Sequence, residues 1–448
     1  MSTTDSHAAD AMFDVAIVGG GIAGLLAAAA IGRRNLRVGL FEAAGQFGGR
    51  ARTRAIDGFR LNMGPHALYR AGAFARALEG LGIETSGGGP DLVNAIALAG
   101  SRAERHPLPI HPEAIQASGL LDDEDRQQLH AMLGGTGPEP VRGQPLSSWL
   151  AGLRPAVAGS LAMLARLVTY CHAPDQIDAA AAMSQMRLAF GGVRYVDGGW
   201  GAIGYRLEQT AADAGASLHP SSPIARLERT GDKWRLTGKR SAARASAVIL
   251  AVAPDQCRRL VPNSADLAQA AAAAVPVRLV SLDLALSSLP DPSTAFALGF
   301  DQPTYFAVHS RFAALAPAGG AVVHAAHYLA PGEIGGPTHV AAIERLLDEL
   351  QPGWRSAEVA RQLLTDARVV HDMPDSSRSG RRASPAVGDS PGLFLAGDWV
   401  GEEGLLSDAA AASAAAAAAA AGDHARKRVP PLRTSHRDRR ELAGHEQE

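Results

Sequence analysis

The segment Phe13–Gly24, FDVAIVGGGIAG, constrains the fold of this 448-residue chain more than any other. Val15–Val18 is a short apolar run that is typical of a buried parallel strand, and residues 22–33 have helical composition. Between them, glycines follow the pattern G-x-G-x-x-G at Gly19, Gly21 and Gly24. In this pattern the glycines allow a tight turn, close approach of a pyrophosphate to the backbone, and close packing of helix on strand. The segment therefore predicts a dinucleotide site whose phosphates lie at a helix N-terminus.

An acidic residue at the expected distance strengthens this prediction. Arg37–Phe41 reads as the second strand, and Glu42 ends it about 20 residues after the glycines, where a carboxylate can hold ribose hydroxyls. The same carboxylate would repel a 2′-phosphate, which disfavours NADP. Because 49 of the 448 residues are glycine, a three-glycine match alone could arise by chance. The flanking strand, helix and acid carry the prediction.

The residues after this acid indicate which dinucleotide is bound. The stretch 42–53, EAAGQFGGRART, resembles the second fingerprint of the superfamily of flavin amine oxidases, protoporphyrinogen oxidases and phytoene desaturases. The resemblance implies that Gly48, Gly49 and Arg50 help to hold the pyrophosphate and ribityl chain of FAD. The family usually has a basic residue where this chain has Gln46, and the alternative interpretation is an ordinary flexible loop.

Three later segments extend the resemblance. LNMGPHALY (61–69) is similar to the segment that passes along the flavin ring, with Asn62 where the family often has Asp. YVDGGWGAIGYRL (195–207) resembles the glycine turn and helix that re-enter the FAD domain. SSPIARLER (221–229) looks like the strand whose edge meets the adenine, through Ile224.

The stretch 391–410, PGLFLAGDWVGEEGLLSDAA, resembles the terminal flavin motif, in which an aspartate meets the ribityl-phosphate region and a helix points at the flavin. A helix N-terminus suits the negative charge of reduced flavin. HDMPD (371–375) and the stretch 310–333 most resemble the bacterial phytoene-dehydrogenase-like branch. The resemblance implies these FAD contacts: Gly19, Gly21, Ile22, Ala23, Gly24, Glu42, Gly48, Gly49, Arg50, Gly64, Pro65, His66, Ile224, Gly397, Asp398, Leu405 and Leu406.

The implied fold is α/β, a Rossmann-type FAD-binding domain of the glutathione-reductase kind with an interleaved α+β substrate domain. We expect residues 12–95, 191–253 and 371–425 to form the discontinuous FAD domain. Residues 96–190, mainly helical with apolar positions at helical spacing over 149–170, and residues 254–370 are expected to form the substrate domain. In the second stretch we expect strands over 277–286, 304–308 and 321–329 and a helix near 340–350. The tail 426–448 is charged, contains proline and lacks apolar periodicity, so we expect it to be disordered.

Composition restricts location and partners. A net charge of −2 gives no electrostatic argument for nucleic acid. The two cysteines, Cys171 and Cys257, have no metal-ligand spacing and lie outside the flavin motifs, which favours a reduced cytoplasmic setting and non-covalent FAD without a metal. The first eleven residues lack a signal-peptide core, and no strongly apolar run of 18 residues is present, although the basic tail could touch a membrane peripherally. The alanine-rich run 409–421 is expected to be a packed helix.

No second nucleotide fingerprint is present, so the substrate is expected to deliver a hydride directly to flavin N5, with O2 or another acceptor taking the electrons. Monoamine-oxidase-like enzymes typically place a lysine in the substrate lobe and two aromatic residues around the amine. Residues 96–190 and 254–370 contain no lysine, and Leu405 stands where one of those aromatic residues is expected. The sequence therefore favours a dehydrogenase or desaturase of an apolar small molecule over an amine oxidase that uses O2. A third alternative is a non-catalytic binding protein with this fold, similar to the Rab escort and GDP-dissociation-inhibitor relatives.

Few polar side chains are candidates for catalysis. His66, in the flavin-passing segment, could move a proton or simply contact flavin or backbone. Tyr305 and His309 lie around a predicted strand, 304–308, of the substrate lobe. His324 and Tyr328 share one face of another predicted strand. All of these are more often core or cavity-lining residues than catalysts.

Overall fold

The structure is a computed structural model that describes residues 11–100, 103–239 and 241–427. The strands are β1 (Ala11–Val18), β2 (Val38–Phe41), β3 (Thr53–Ile56), β4 (Phe59–Asn62), β5 (Leu68–Tyr69), β6 (Ile96–Ala99), β7 (Glu104–Pro107), β8 (Val193–Arg194), β9 (Ser217–His219), β10 (Ile224–Thr230), β11 (Lys233–Gly238), β12 (Ala242–Leu250), β13 (Val277–Leu286), β14 (Phe296–Gly299), β15 (Thr304–Val308), β16 (Ala321–Leu329), β17 (Glu358–Val370) and β18 (Leu393–Leu395).

The helices are α1 (Ile22–Gly32), α2 (Ala73–Gly80), α3 (Pro112–Ala117), α4 (Asp123–Leu133), α5 (Leu146–Leu150), α6 (Pro155–Thr169), α7 (Ala179–Phe190), α8 (Trp200–Asp213), α9 (Pro254–Leu260), α10 (Ala265–Ala273), α11 (Pro337–Leu350), α12 (Trp354–Ala357) and α13 (Leu406–Arg426). None of these helices is long and apolar enough to cross a bilayer. In the same residues no cluster of three or more His, Cys, Asp or Glu side chains has a metal-binding arrangement.

The first sheet has the strand order β10-β11-β12-β1-β2-β9, with β18 paired to β12. Strand β1 lies at its centre and pairs in parallel with both β12 and β2. Its apolar run Val15–Val18 is buried, as expected for a strand covered on both faces. The carboxyl ends of these parallel strands therefore meet at one edge, where ligands of open α/β sheets bind.

Small side chains let two helices lie close together over this sheet. Helix α1 consists largely of alanine, glycine and leucine, and it packs against α13. The alanine-rich stretch of α13 is buried in the same core, which confirms the expectation of a packed terminal helix. Of the tail expected over 426–448, Arg426 is the last residue of α13, and residues 428–448 lie outside the described residues.

The second sheet has the order β17-β13-β16-β15-β14-β6-β7 and is antiparallel except for the pair β14 and β6. Three expected strands, β13, β15 and β16, are present with the predicted bounds. The helix expected near 340–350 begins earlier, at Pro337, which occupies the first helical turn where proline is tolerated. The 13-residue edge strand β17 was not expected. The two sheets fall within the predicted FAD and substrate ranges, and the exact domain boundaries stay a prediction.

The helical segment expected over 149–170 is divided into two helices. Helix α5 ends at Leu150, and α6 begins at Pro155, with the proline again in the first turn. Proline lacks the N–H needed inside a helix, so it starts a new helix rather than continuing the old one.

Candidate cofactor and substrate cavity

A cavity of about 1230 Å³ lies between the two sheets and extends from the glycine-rich turn after β1 to the strands β13 and β17. This volume exceeds the 300–1000 Å³ that is typical of a site for one small ligand. The cavity is therefore large enough for an extended cofactor together with a second molecule. We call the part near Gly19 the dinucleotide end, and the part lined by Leu279 and Leu364 the ring end.

The three motif glycines at the dinucleotide end have three different geometries. Gly19 has a φ of +107°, which only glycine adopts readily. A Cβ at Gly24 would lie 1.9 Å from the carbonyl oxygen of Gly19, so this position requires the close contact of helix and turn. A Cβ at Gly21 would meet nothing within 4 Å, and Gly21 lines the cavity. The space beside Gly21 is thus a cradle for a phosphate group at the N-terminus of α1.

Glu42 lies at the end of β2 and lines the same end of the cavity. Its two carboxylate oxygens accept hydrogen bonds from the backbone N–H groups of Gly20 and Ala44, each at 2.7 Å. These bonds fix the carboxylate beside the glycine turn, in the position expected for a ribose-binding acid.

Arg50 and Asp398 form an ion pair across the cavity wall. The Arg50 Nη1 atom donates to Asp398 Oδ2 at 2.8 Å and to the carbonyl of Val369 at 2.7 Å. His371 Nδ1–H donates to the other Asp398 oxygen at 2.8 Å. Burial opposes ionisation of Asp398, but the charge of Arg50 and the hydrogen bonds from Arg50 and His371 outweigh it and hold the pKa of this carboxyl well below its usual range.

The turn between Asp398 and α13 is held by a buried arginine. Arg382 donates to the carbonyl oxygens of Gly401 and Asp398, at 2.9 and 3.1 Å, and to that of Gly404 at 2.7 Å. These bonds shape the loop that delivers the N-terminus of α13 to the cavity, which Leu406 lines. Leu405 is the N-cap residue of α13 and is buried outside the cavity lining.

Asp408, in the first turn of α13, connects this helix to α2. Its Oδ1 atom accepts a hydrogen bond from the backbone N–H of Phe74 at 2.8 Å, while its Oδ2 atom is buried without a partner. Burial is the main cause that raises the pKa of Asp408, to about 6. The two aspartates of the terminal motif region, Asp398 and Asp408, therefore have opposite pKa shifts.

At the ring end, the segment 62–66 enters the cavity wall. The Asn62 Oδ1 atom accepts from the backbone N–H of Trp200 at 2.9 Å, which ties this segment to the start of α8. His66 lines the cavity, and its Nδ1–H donates to the carbonyl of Gly64 at 3.0 Å. Burial lowers the pKa of His66 to about 4, so its imidazole is neutral at neutral pH.

Apolar and aromatic side chains from separate elements line the rest of the ring end: Met63, Tyr69, Tyr170, Trp200, Leu279, Leu363, Leu364 and Leu406. The two tyrosine hydroxyls are occupied, because Tyr69 donates to the carbonyl of Val168 at 2.9 Å and Tyr170 to that of Pro65 at 3.1 Å. Their rings therefore face the cavity as apolar surface with the polar ends turned to backbone.

Tyr305 and His309 do not line the cavity. The Tyr305 hydroxyl lies 2.9 Å from His309 Nε2, and both side chains are buried in the substrate lobe. The His309 ring stacks on Tyr195 with centroids 3.8 Å apart. The catalytic role considered for these two residues thus stays a prediction that their position does not favour.

The cavity brings together most of the residues that the sequence motifs implied. Of the expected FAD contacts, Gly24 and Leu405 lie outside the lining, Gly24 because it packs against the turn. Sequence reasoning missed Tyr170, Leu279 and Leu364, which lie in no flavin motif. Tyr69 and Trp200 lie inside two quoted segments and could have been singled out there.

Comparison with known proteins agrees with this geometry. A family model described as an NAD(P)-binding Rossmann-like domain matches residues 17–79. AofH of Mycobacterium tuberculosis, provisionally named a flavin-containing monoamine oxidase, is 29% identical over 264 residues, 54% of this chain and 57% of AofH. The chain thus spans a little over half the length of this curated relative. A carotenoid 3,4-desaturase of Haloarcula japonica is 42% identical over 71 residues, 16% of this chain and 14% of that protein.

Solved structures show the same fold. The crystal structure of an oxidoreductase from Methanosarcina mazei matches with a TM-score of 0.71 and 17% identity, covering 90% of this chain and 99% of that one. Fold and site together define a flavin-binding protein of the Rossmann type. The chain is similar in sequence to a flavin-containing oxidase and a carotenoid desaturase, and it shares its fold with solved oxidoreductases. Three features of the site fit FAD: the phosphate cradle at Gly21, the ribose-binding acid Glu42, and the ion pair of Arg50 and Asp398.

Proposed function

We propose that this protein is an FAD-dependent oxidoreductase, a dehydrogenase or desaturase that removes a hydride from an apolar small molecule. When bound, FAD supplies a two-electron acceptor at its N5 atom. The protein's part is to hold the cofactor at the dinucleotide end and to orient the substrate at the ring end. O2 or another acceptor completes the cycle, and a cytoplasmic location is part of this proposal.

The main observation in favour of an apolar substrate is that the cavity's carboxylates are already engaged. Glu42, Asp255, Asp366 and Asp398 are the carboxylates among the described lining residues. Glu42 bonds the glycine turn. Each of the others is paired with an arginine. Asp255 lies 2.9 Å from Arg259, Asp366 lies 3.3 Å from Arg278, and Asp398 lies 2.8 Å from Arg50. Among these side chains only Glu42, at the dinucleotide end, has no arginine partner, so a substrate ammonium at the ring end would find no unpaired carboxylate.

The ring end offers apolar surface in place of charge. Leu279, Leu364 and the two tyrosine rings can bury a hydrocarbon substrate, at about 25 cal/mol for each Å² of apolar area removed from water. A close-fitting apolar wall also excludes water and orients the reacting carbon, which contributes to rate without a charged catalyst. His66 is a polar member of this wall, and it is neutral at neutral pH.

An amine oxidase is the second candidate, and two observations favour it. Tyr69 and Tyr170 place aromatic rings at the ring end. The sequence had suggested few aromatic residues there, because Leu405 stands where one is expected. Aromatic faces can attract a substrate ammonium. The similarity to AofH points the same way. Against it stand the paired carboxylates and the lack of lysine in residues 96–190 and 254–370.

Anaerobic mixing separates the two candidates. Purified holoprotein is mixed without O2 with benzylamine, putrescine or tryptamine, and in parallel with a panel of isoprenoid and cyclic hydrocarbons, while the oxidised flavin band is followed. We expect slow or no bleaching by the amines and rapid bleaching by at least one apolar compound. Rapid bleaching by an amine, with aldehyde and ammonia formed, would establish the amine oxidase instead.

The non-catalytic alternative is tested before any substrate is known. Purified protein should be yellow, or become yellow on addition of FAD. A colourless protein that FAD cannot reconstitute would remove the enzymatic proposal altogether.

A further inference from the structure

A fully buried carboxylate behind the ring end holds the cavity wall in place. Asp283, on β13, is 0% exposed and accepts four hydrogen bonds. Its Oδ1 atom accepts from the Ser281 hydroxyl at 2.6 Å and from His324 Nδ1–H at 2.8 Å. Its Oδ2 atom accepts from the backbone N–H of Gly64 at 3.1 Å and from Gln362 Nε2 at 2.9 Å. One side chain thus joins β13, β16 and β17 to the segment 62–66.

Gly64 connects Asp283 to His66, because its N–H donates to Asp283 and its carbonyl accepts from His66. The Gly64 backbone has a φ of +85°, a conformation that favours glycine, and the segment is further held by Gln362, which donates to the carbonyl of Asn62 at 2.7 Å. The Gly64 carbonyl then accepts from His66 Nδ1. A carbonyl can only accept, so the proton of the neutral ring must be on Nδ1 and the Nε2 atom must be a free acceptor.

The unprotonated Nε2 atom of His66 is available to a molecule bound in the cavity. His66 lines the cavity beside Trp200, with ring centroids 4.8 Å apart. Its Nε2 atom has no hydrogen-bond partner among the described residues. This atom is also not fully buried, so a molecule in the cavity can reach it. The charged or titratable groups that act on the ring are His324, Asp283 and Arg50.

We propose that Asp283 is a positioning residue that, through Gly64, fixes His66 in the tautomer whose Nε2 accepts a hydrogen bond from an N–H or O–H group bound in the cavity. This rests on the proposed function, in which the cavity holds FAD and an apolar substrate. The donor then belongs either to the cofactor or to the polar end of the substrate. An acceptor in this mainly apolar wall would favour substrates that carry a donor at the matching position, because an unpaired buried acceptor is costly.

The first experiment reads the tautomer of His66 directly. Long-range ¹H–¹⁵N NMR of the ¹⁵N-histidine holoprotein distinguishes a protonated from an unprotonated ring nitrogen, and His66→Gln assigns the signal. We expect Nδ1 protonated and Nε2 unprotonated at neutral pH. The opposite tautomer in the wild-type protein would overturn the proposal.

The second experiment tests the role of Asp283. Asp283→Asn should change the His66 tautomer ratio by about tenfold, the ratio that corresponds to one neutral hydrogen bond. Ser281→Ala is the matched control, because it removes a donor from the other carboxylate oxygen and leaves the bond to Gly64 intact. It should keep the wild-type tautomer. An unchanged ratio in a folded Asp283→Asn protein, even one with a lower melting temperature, would reduce Asp283 to a structural residue and refute the proposal.

A milder variant covers the case in which Asp283→Asn does not fold. Gln362→Leu removes the second donor to the same oxygen and the bond to Asn62, so it should shift the tautomer ratio in the same direction by a smaller factor. No shift would count against the proposal.

The source of the donor follows from adding ligands in turn. A shift of the His66 Nε2 signal between apoprotein and FAD-loaded protein would assign the donor to the cofactor. A shift that comes only with substrate would assign it to the substrate, and no shift with either would overturn the acceptor role. Because these readouts need no turnover, the tautomer result stands or falls independently of which compounds reduce the flavin.

Discussion

The two ends of the cavity are built in different ways. Most of the dinucleotide end consists of backbone geometry and charges that lie within short stretches of sequence, such as the turn Gly19–Gly24 and the acid Glu42, and the ion pair of Arg50 and Asp398 joins two such stretches. The ring end is assembled from side chains of distant elements, including Tyr170, Leu279 and Leu364. Cofactor binding should therefore fail through single local changes, whereas substrate choice should depend on several residues together.

The largest expected effect is a loss of folded stability, and it should occur at the packing glycine Gly24 but not at the phosphate-cradle glycine Gly21. Gly24→Ala places a methyl group 1.9 Å from a backbone oxygen, so we expect a loss of folded stability of at least about 3 kcal/mol and no FAD retention. Gly21→Ala adds its methyl group to open cavity space, so apoprotein stability should be unchanged while FAD binding is lost. Urea unfolding of the apoprotein and FAD titration check both. A stable Gly24→Ala protein, or a Gly21→Ala protein with full flavin, would contradict the assigned roles.

The next effect concerns the buried charge at the dinucleotide end. Asp398→Asn removes the partner of Arg50 and His371, and we expect a loss of about 2–4 kcal/mol in stability and weaker FAD retention. Because the pKa of Asp398 is lowered on folding, its contribution is present above the unfolded pKa and is lost as pH falls through the folded pKa. The difference between wild type and variant in denaturant titrations should therefore shrink in strong acid, below about pH 4. Full flavin occupancy in the variant would show that the terminal motif is misassigned.

Asp408 should behave in the opposite sense. Burial raises its pKa to about 6, so its protonated form favours folding below the unfolded pKa, and this stability is lost as pH rises through 6. Asp408→Asn keeps an acceptor for the Phe74 N–H and removes the buried charge. We expect the variant to be more stable than wild type by up to about 3 kcal/mol above pH 7, with the gain disappearing toward pH 4. Thermal melts across this range provide the measurement. A pH-independent difference would argue against titration of Asp408.

The smallest effect tests the ribose acid. Glu42→Ala should lower FAD affinity by about 1–3 kcal/mol, the scale for losing hydrogen bonds to a charged group. The wild-type carboxylate also holds the N–H groups of Gly20 and Ala44, so Glu42→Gln is the control that keeps one acceptor. Fluorescence titration with FAD gives both dissociation constants. Equal constants for all three proteins would refute the ribose role.

Local sequence predicted the dinucleotide end well because each of its parts is a short-range signal. The strand, the three glycines and the following helix lie within about one βα unit, and the structure has the helix at Ile22–Gly32 as the pattern indicates. The strands β13, β15 and β16 were equally readable, since they are rich in apolar residues, with β-branched or aromatic side chains among them. The edge strand β17 was missed, because its apolar and polar residues are mixed along an edge that is covered on one side only.

The sequence by itself determined the cofactor class and the position of the glycine turn, because these depend on residues close together in the chain. The tertiary structure alone decided what surrounds the ring end. Only folding places Tyr170 and Leu364 beside the flavin-passing segment, moves Tyr305 and His309 away from the cavity, and pairs Asp366 with Arg278. It also brings Asp283 within hydrogen-bond distance of Gly64, 219 residues earlier in the chain. Contacts of this kind arise from the packing of two sheets against each other, and no local pattern encodes them.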